Sequence, residues 1–159
     1  LPLQTCSAAA FTIVRKGLWP CSIGLASRDA DVEKPASCNS PDFFGLGSGS
    51  GKLCHNGQRI EWRGAEGFTE GDYIEMLFQG HLGTLHVAKN SRVLGQAQGL
   101  LQQKLSAASR GAGLCWAVSA SDSGWAIRVE RIDPLAFGKS GPATQHIAAG
   151  QIDDEDDIC

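Results

Sequence analysis

Apolar and polar positions alternate with a period of two along most of the chain, in runs short enough for strands rather than helices. The central run is the clearest. Tyr73 to Phe78 is apolar but for Glu75, Gln79 to Gly83 turns the chain, and Thr84 to Ala88 returns with Leu85 and Val87 on one face. Lys89 to Arg92 turns it again into Val93 to Ala97. Glycine and asparagine in such turns tolerate positive φ, so the spacing predicts a three-stranded antiparallel meander.

The flanks repeat the pattern. Residues 1–9 form an entry strand or a loose lead-in, and Ala10 to Arg15 puts Phe11 and Ile13 on one face. Leu18 to Ala26 is a second strand with Pro20 near its start, where a missing N–H is tolerated. Ser27 to Pro41 reads as a long polar surface loop, and Asp42 to Leu46 as another strand. Asn56-Gly57, the strongest two-residue hairpin signal in the chain, precedes Gln58 to Trp62, whose Ile60 and Trp62 share a face. Gly113 to Ser119 and Trp125 to Arg131 follow; in the second, Trp125, Ile127 and Val129 point inward, Arg128 and Glu130 outward. Leu100, Leu101 and Leu105 leave room for a short helix near 100–108. The pattern predicts an all-β chain: an antiparallel two-sheet β-sandwich of about ten or more short strands over residues 1–138. Residues 139–159, ending in the acidic run Asp153 to Asp157, are a polar tail or linker.

Composition narrows this only modestly. A chain of 159 residues is long enough for one sizeable core, and 20 glycines with 19% charged residues suit many strands and frequent turns. A net charge of −3 argues against a general grip on nucleic acid or anionic membrane. No apolar run approaches the roughly 18–20 residues that cross a bilayer. The 6 cysteines include no Cys-x-x-Cys pair. Cys21, Cys54 and Cys115 sit in or beside apolar strands, so reduced, structural thiols in a cytoplasmic protein are expected.

The central meander also resembles the middle of a SPRY domain. Gly71-Asp72-Tyr73-Ile74, Gly83-Thr84-Leu85 and Lys89-Asn90 through Leu94-Gly95 match that family's Gly-Asp-x-Ile, Gly-Thr-Leu and Lys-Asn-x-x-x-Leu-Gly elements in order. Ile23-Gly24-Leu25-Ala26 and the strand Gly113 to Ser119 are similar to its flanking strands, with Trp116 where Pro is common. The resemblance runs from about Phe11 to Leu135 and implies a protein-interaction module. Its loops, at one end of the sandwich, would hold a peptide or a partner's surface.

Residue by residue, the comparison is with SPRY-and-SOCS-box proteins. Their peptide-site Thr falls on Ser27, and their Val-Trp-Gly falls on Ser121-Asp122-Ser123. Their loop Tyr falls near Asn39 to Pro41, where there is none, so location transfers and specificity does not. The expected partner surface is Ser27, Arg28, Asp29, Ser40, Ser121, Asp122 and Ser123.

Catalytic chemistry has less support. No Gly-x-Ser-x-Gly, His-Glu-x-x-His or dinucleotide fingerprint is present, and Gly47 to Gly51 with Lys52 lacks the full phosphate-loop pattern. His81 and His86 share a predicted hairpin without a clear common face, and Asp29, Asp31 and Glu33 lack the spacing of a Ca²⁺ loop. The sequence therefore implies no enzyme activity, no cofactor and no metal. Two alternatives stay open: a scaffold domain of a larger assembly, and a carbohydrate-binding sandwich. The second would need exposed aromatic side chains such as Trp19 or Trp116, since Trp62 and Trp125 fall on apolar strand faces.

Overall fold

The chain's alternation produces sheets with one apolar face each, and two such sheets close on one another. A computed structural model describes residues 6–28, 30, 40, 42–55, 57–60, 62–97 and 113–139. Its strands are β1 (Cys6–Arg15), β2 (Cys21–Ser27), β3 (Phe43–Gly47), β4 (Leu53–His55) and β5 (Gln58–Ile60), then β6 (Tyr73–Gln79), β7 (Thr84–Lys89), β8 (Arg92–Ala97), β9 (Leu114–Ala120) and β10 (Ala126–Ile132). One sheet has the order β10-β1-β6-β7-β8 and the other β5-β4-β3-β2-β9. Every pairing is antiparallel. Among the described residues the only helical element is a 3-10 turn at Pro134–Ala136. The two-sheet all-β architecture is the one the sequence pattern implies. The proposed helix near 100–108 and the tail beyond Lys139 lie outside the described residues.

The core fills the space between the sheets. Phe11 and Ile13 on β1 and Ile74 and Met76 on β6 meet Ile23 on β2 and Phe44 and Leu46 on β3, all with almost no exposed surface. Each such side chain contributes about 1.5–3 kcal/mol by leaving water. Phe11 also meets Trp116 edge-on, with ring centroids 6.1 Å apart. Trp62, Trp116 and Trp125 all pack against this core. Gly24 and Gly45 face each other across β2 and β3, and a Cβ on Gly24 would overlap the Phe44 carbonyl; only glycine lets the strands approach this closely.

Strand ends differ from the sequence reading in instructive ways. β2 begins at Cys21, not Leu18, because Pro20 has no N–H and the Trp19 N–H is committed to Asp122 outside the ladder. Val129 holds the inward phase but is 44% exposed, because β10 ends its sheet and no described strand lies beyond it to complete the layer. Glu75, the interruption in the β6 run, turns to the outer face of its sheet and is nonetheless fully buried. Over that face runs the chain after β10: Phe137 meets His86 edge-on at 6.2 Å. The described cysteines, Cys6, Cys21, Cys54 and Cys115, are thiols outside any disulfide. Burial, with a smaller push from the Asp122 charge, raises the Cys21 thiol to about 12.

Candidate functional site

Register decides which loops are neighbours. Ser27 pairs with Leu114 at one end of the β2–β9 ladder, and Cys21 pairs with Ala120 at the other. Ser121, Asp122 and Ser123 follow Ala120 directly, so the expected partner surface is divided. Ser27, Arg28 and Ser40 gather at one end of the sandwich, and Ser121 to Ser123 stand at the opposite end. At about 3.3 Å per residue the two groups are about 20 Å apart. Asp29 lies outside the described residues. The described residues of that set therefore fall into two groups, one at each end of the sandwich. The sequence could show which strands the loops join, but not that β9 runs antiparallel to β2 and carries its exit loop to the far end.

At the first end, Ser27 is 4% exposed, and its N–H donates to the Asp42 carbonyl at 2.8 Å. Ser40 Oγ accepts from the Asp42 N–H at 3.1 Å, capping its own turn. Arg28 is exposed, and its N–H extends the ladder to the Gly113 carbonyl at 3.2 Å.

The second end collects the loops after β1, β3 and β9 and the segment leading into β6. Asp122 is its organiser. One carboxylate oxygen accepts from the Trp19 N–H at 2.7 Å and the other from the Gly124 N–H at 2.7 Å. The Trp19 N–H, then those of Gly124, Leu18 and Trp125, hold the Asp122 carboxyl below its usual value, because each favours the charged form. Trp125 returns the bond: its indole N–H donates to the Trp19 carbonyl at 2.7 Å. The Lys16 N–H reaches Glu70 at 3.2 Å, and Arg15 Nε donates to the Gly124 carbonyl at 2.8 Å. A Cβ on Gly17 would overlap the Asp122 carboxylate and the Trp125 ring, so this loop closes only around glycine.

That bracing has a consequence for the side chains. With the backbone of residues 16–20 fastened, Leu18 and Trp19 have nowhere to fold inward, and they stand 94% and 65% exposed. Beside them opens a hollow of about 180 Å³ lined by Lys16, Trp19, Pro20, Ser48, Phe68 and Trp125. Its floor is firm. Phe68 and Trp125 meet edge-on at 6.1 Å, Ser48 Oγ accepts from the Cys21 N–H at 3.0 Å, and the Phe68 N–H donates to the Ser48 carbonyl at 2.9 Å. The Gly47 to Gly51 run is thus a tight connection that supports the hollow.

A second polar hub holds the same end from the other side. Lys89 Nζ lies 3.0 Å from both Glu66 and Asp72, and Arg92 pairs with Glu66. Burial pushes the Asp72 carboxyl up, but bonds from Asn90, the Thr69 N–H and Lys89 outweigh it and leave it below its ordinary value. Burial likewise opposes the Lys89 charge, and Glu66 and Asp72 overcome it. Here the charges are consumed in holding the β7–β8 turn, with Asn90 and Ser91 at positive φ. Among the described residues, no three His, Cys, Asp or Glu side chains come together as metal ligands would.

The strand pattern does not show Leu18 as a surface feature, and it raises exposure of Trp19 only for the carbohydrate alternative. It placed both inside a strand, and only Pro20 and Gly17 marked the segment as a turn. Asp122 was singled out, but for a different role: it positions the loop.

No family model matches the sequence, and no curated protein matches it. Among solved structures, the crystal structure of the SPRY domain of human HERC1 has the same fold. The match has a TM-score of 0.59 and 21% sequence identity, and covers 80% of this chain and 74% of that one. The chain has a SPRY-like β-sandwich fold. Among the described residues no helix is long and apolar enough to cross a membrane.

Proposed function

We propose that this domain is a non-enzymatic protein-binding module, and that it captures its partner at the Leu18–Trp19 end of the sandwich. The observation that carries the reading is the pairing of rigidity with exposure. A Leu and a Trp project into solvent from a backbone fixed at every turn by Asp122, Trp125 and Glu70. Exposed Trp on a preorganised backbone is the residue type and setting that dominates protein interfaces, because little conformational freedom remains to be lost on binding. The hollow beside it accepts an apolar side chain of the partner, a short peptide or a folded surface. A cytoplasmic setting fits the unbridged thiols at Cys6, Cys21, Cys54 and Cys115.

One other reading has an observation in its favour. Trp19 is also the exposed aromatic that a carbohydrate-binding sandwich would need. The same variant separates the two. Leu18→Ser with Trp19→Ser weakens capture of a protein partner at least about tenfold while glycan binding is absent in both proteins. Glycan binding by the natural chain that the variant loses would favour the sugar reading. Capture unaffected by the double change, but lost on Arg28→Glu, would return the site to the Ser27, Arg28 and Ser40 end.

A further inference from the structure

Among the described residues the two sheets leave four edge strands, β10 and β8 in one and β5 and β9 in the other. Exposed edges invite pairing with another chain, and charged side chains are the common guard against it. β10 carries Arg128, Glu130 and Arg131, β8 carries Arg92, and β5 carries Arg59. β9, Leu114 to Ala120, carries no charge at all, and its inward-phase Val118 is 37% exposed.

The hydrogen-bond phase of β9 follows from its neighbours. The Ser27 N–H donates to Asp42 on the β3 side, and the Arg28 N–H donates to Gly113 on the β9 side. Alternation then gives Ala26, Gly24 and Ser22 to β9, where they pair with Cys115, Ala117 and Ser119. The main-chain groups of Trp116, Val118 and Ala120 point to the edge that no described strand covers.

We propose that β9 pairs with β9 of a second copy of this chain, antiparallel, about a two-fold axis at Ala117. That register uses the outward main-chain groups: Trp116 bonds to Val118 of the second copy, and Leu114 to its Ala120. It also places Trp beside Val on the inner face and small residues, Cys115 against Ser119 and Ala117 against itself, on the outer one. An aromatic opposite a β-branched residue is a favourable cross-strand pair. The second layer agrees. β9 and β10 run in opposite directions from the turn Ser121 to Trp125, so Ala117 and Val129 stand the same number of residues from it. An axis passing near both brings Arg128 toward Glu130 of the second copy, opposite charges in each of the two symmetric positions. The edge complements itself in both layers, which is what an isologous contact requires.

Sedimentation of the full chain over a concentration series tests this. The weight-average mass is expected to rise from one chain to two, and Val118→Lys, which sets a charge on the edge, moves the midpoint at least about tenfold higher. Circular dichroism of that variant checks that the sandwich is intact. Ala117→Cys adds an independent readout. Under mild oxidation it gives a covalent dimer well above the background of the natural cysteines, since the axis sets Ala117 against its own copy. A single-chain mass at all concentrations, a dimer insensitive to Val118→Lys, or an unchanged oxidation pattern for Ala117→Cys would each overturn the proposal. So would a monomer whose β9 edge takes up another protein's strand. Partner capture at Leu18 and Trp19 is scored separately and is expected to survive Val118→Lys.

Discussion

The two ends of the sandwich are built on different principles. Where Ser27, Arg28 and Ser40 lie, several of the described hydrogen bonds are local or continue a ladder: the Asp42 N–H to Ser40, the Ala30 N–H to Ser27, the Arg28 N–H to Gly113. The Trp116 indole N–H reaches Ser7 across 109 residues at the edge of that end. At the opposite end the bonds join segments far apart in sequence. Trp19 to Asp122 spans 103 residues, Trp125 to Trp19 spans 106, and Lys16 to Glu70 spans 54. A long-range bond orients one loop against another, whereas a local bond only shapes the loop that makes it. The end carrying Leu18 and Trp19 therefore has its loops oriented against one another by long-range bonds. Binding surfaces gain from that arrangement, since ordering a loop on contact costs affinity.

Removing the interior hub should show the largest effect. Asp72→Ala strips Lys89 and Asn90 of a common partner in a mostly buried site and is expected to cost about 3 kcal/mol of stability, read from urea unfolding. A change under about 0.5 kcal/mol would mean the hub is decorative, and that the rigidity contrast between the ends has another source.

Gly17→Ala sharpens the comparison. The added methyl must displace Asp122 or Trp125, so a loss of about 1–3 kcal/mol is expected together with weakened capture. Equal capture with the loop displaced would separate exposure from rigidity and leave exposure alone as the requirement.

Asp122→Asn acts more gently. It keeps the shape and removes the charge, and capture is expected to weaken by about tenfold with the fold intact. The natural protein also carries a pH signature. The Asp122 carboxyl is depressed in the folded state, so its braces are fully in place above its ordinary value and are lost as pH falls through the folded value. Capture should therefore hold from neutrality down to about pH 4 and decline below it. Asp72 and Glu66 are depressed too and titrate in the same acid window, so the contribution of Asp122 is the part of the decline that Asp122→Asn removes. The smallest effect belongs to Ser121→Ala. Its side chain is exposed and no part of the brace depends on it, so stability should move by less than about 0.5 kcal/mol and capture not at all.

Much of the fold was legible because its signals are local. Asn56-Gly57 and Lys89-Asn90 marked hairpins by backbone requirement, and Trp125, Ile127 and Val129 gave the right phase for β10. Exposure at that phase was not legible, because whether Val129 is covered depends on which strand ends a sheet. The candidate site was half legible for the same reason. Asp122 lies on a loop, as the pattern indicated, whereas Ser27 closes β2, and only the β2–β9 register shows that the two stand at opposite ends. The Leu18–Trp19 platform was hidden by its composition: two large apolar residues beside a strand read as strand until a carboxylate from residue 122 is seen to hold their backbone outside it.

Hydrogen exchange on the complex with the captured partner shows which end of the sandwich is covered. Protection gained on binding is expected to concentrate in residues 16–20, 48–49 and 121–125, with residues 27–40 unchanged. Protection confined to residues 27–40, with the Leu18–Trp19 loop exchanging as it does in the free protein, would contradict it.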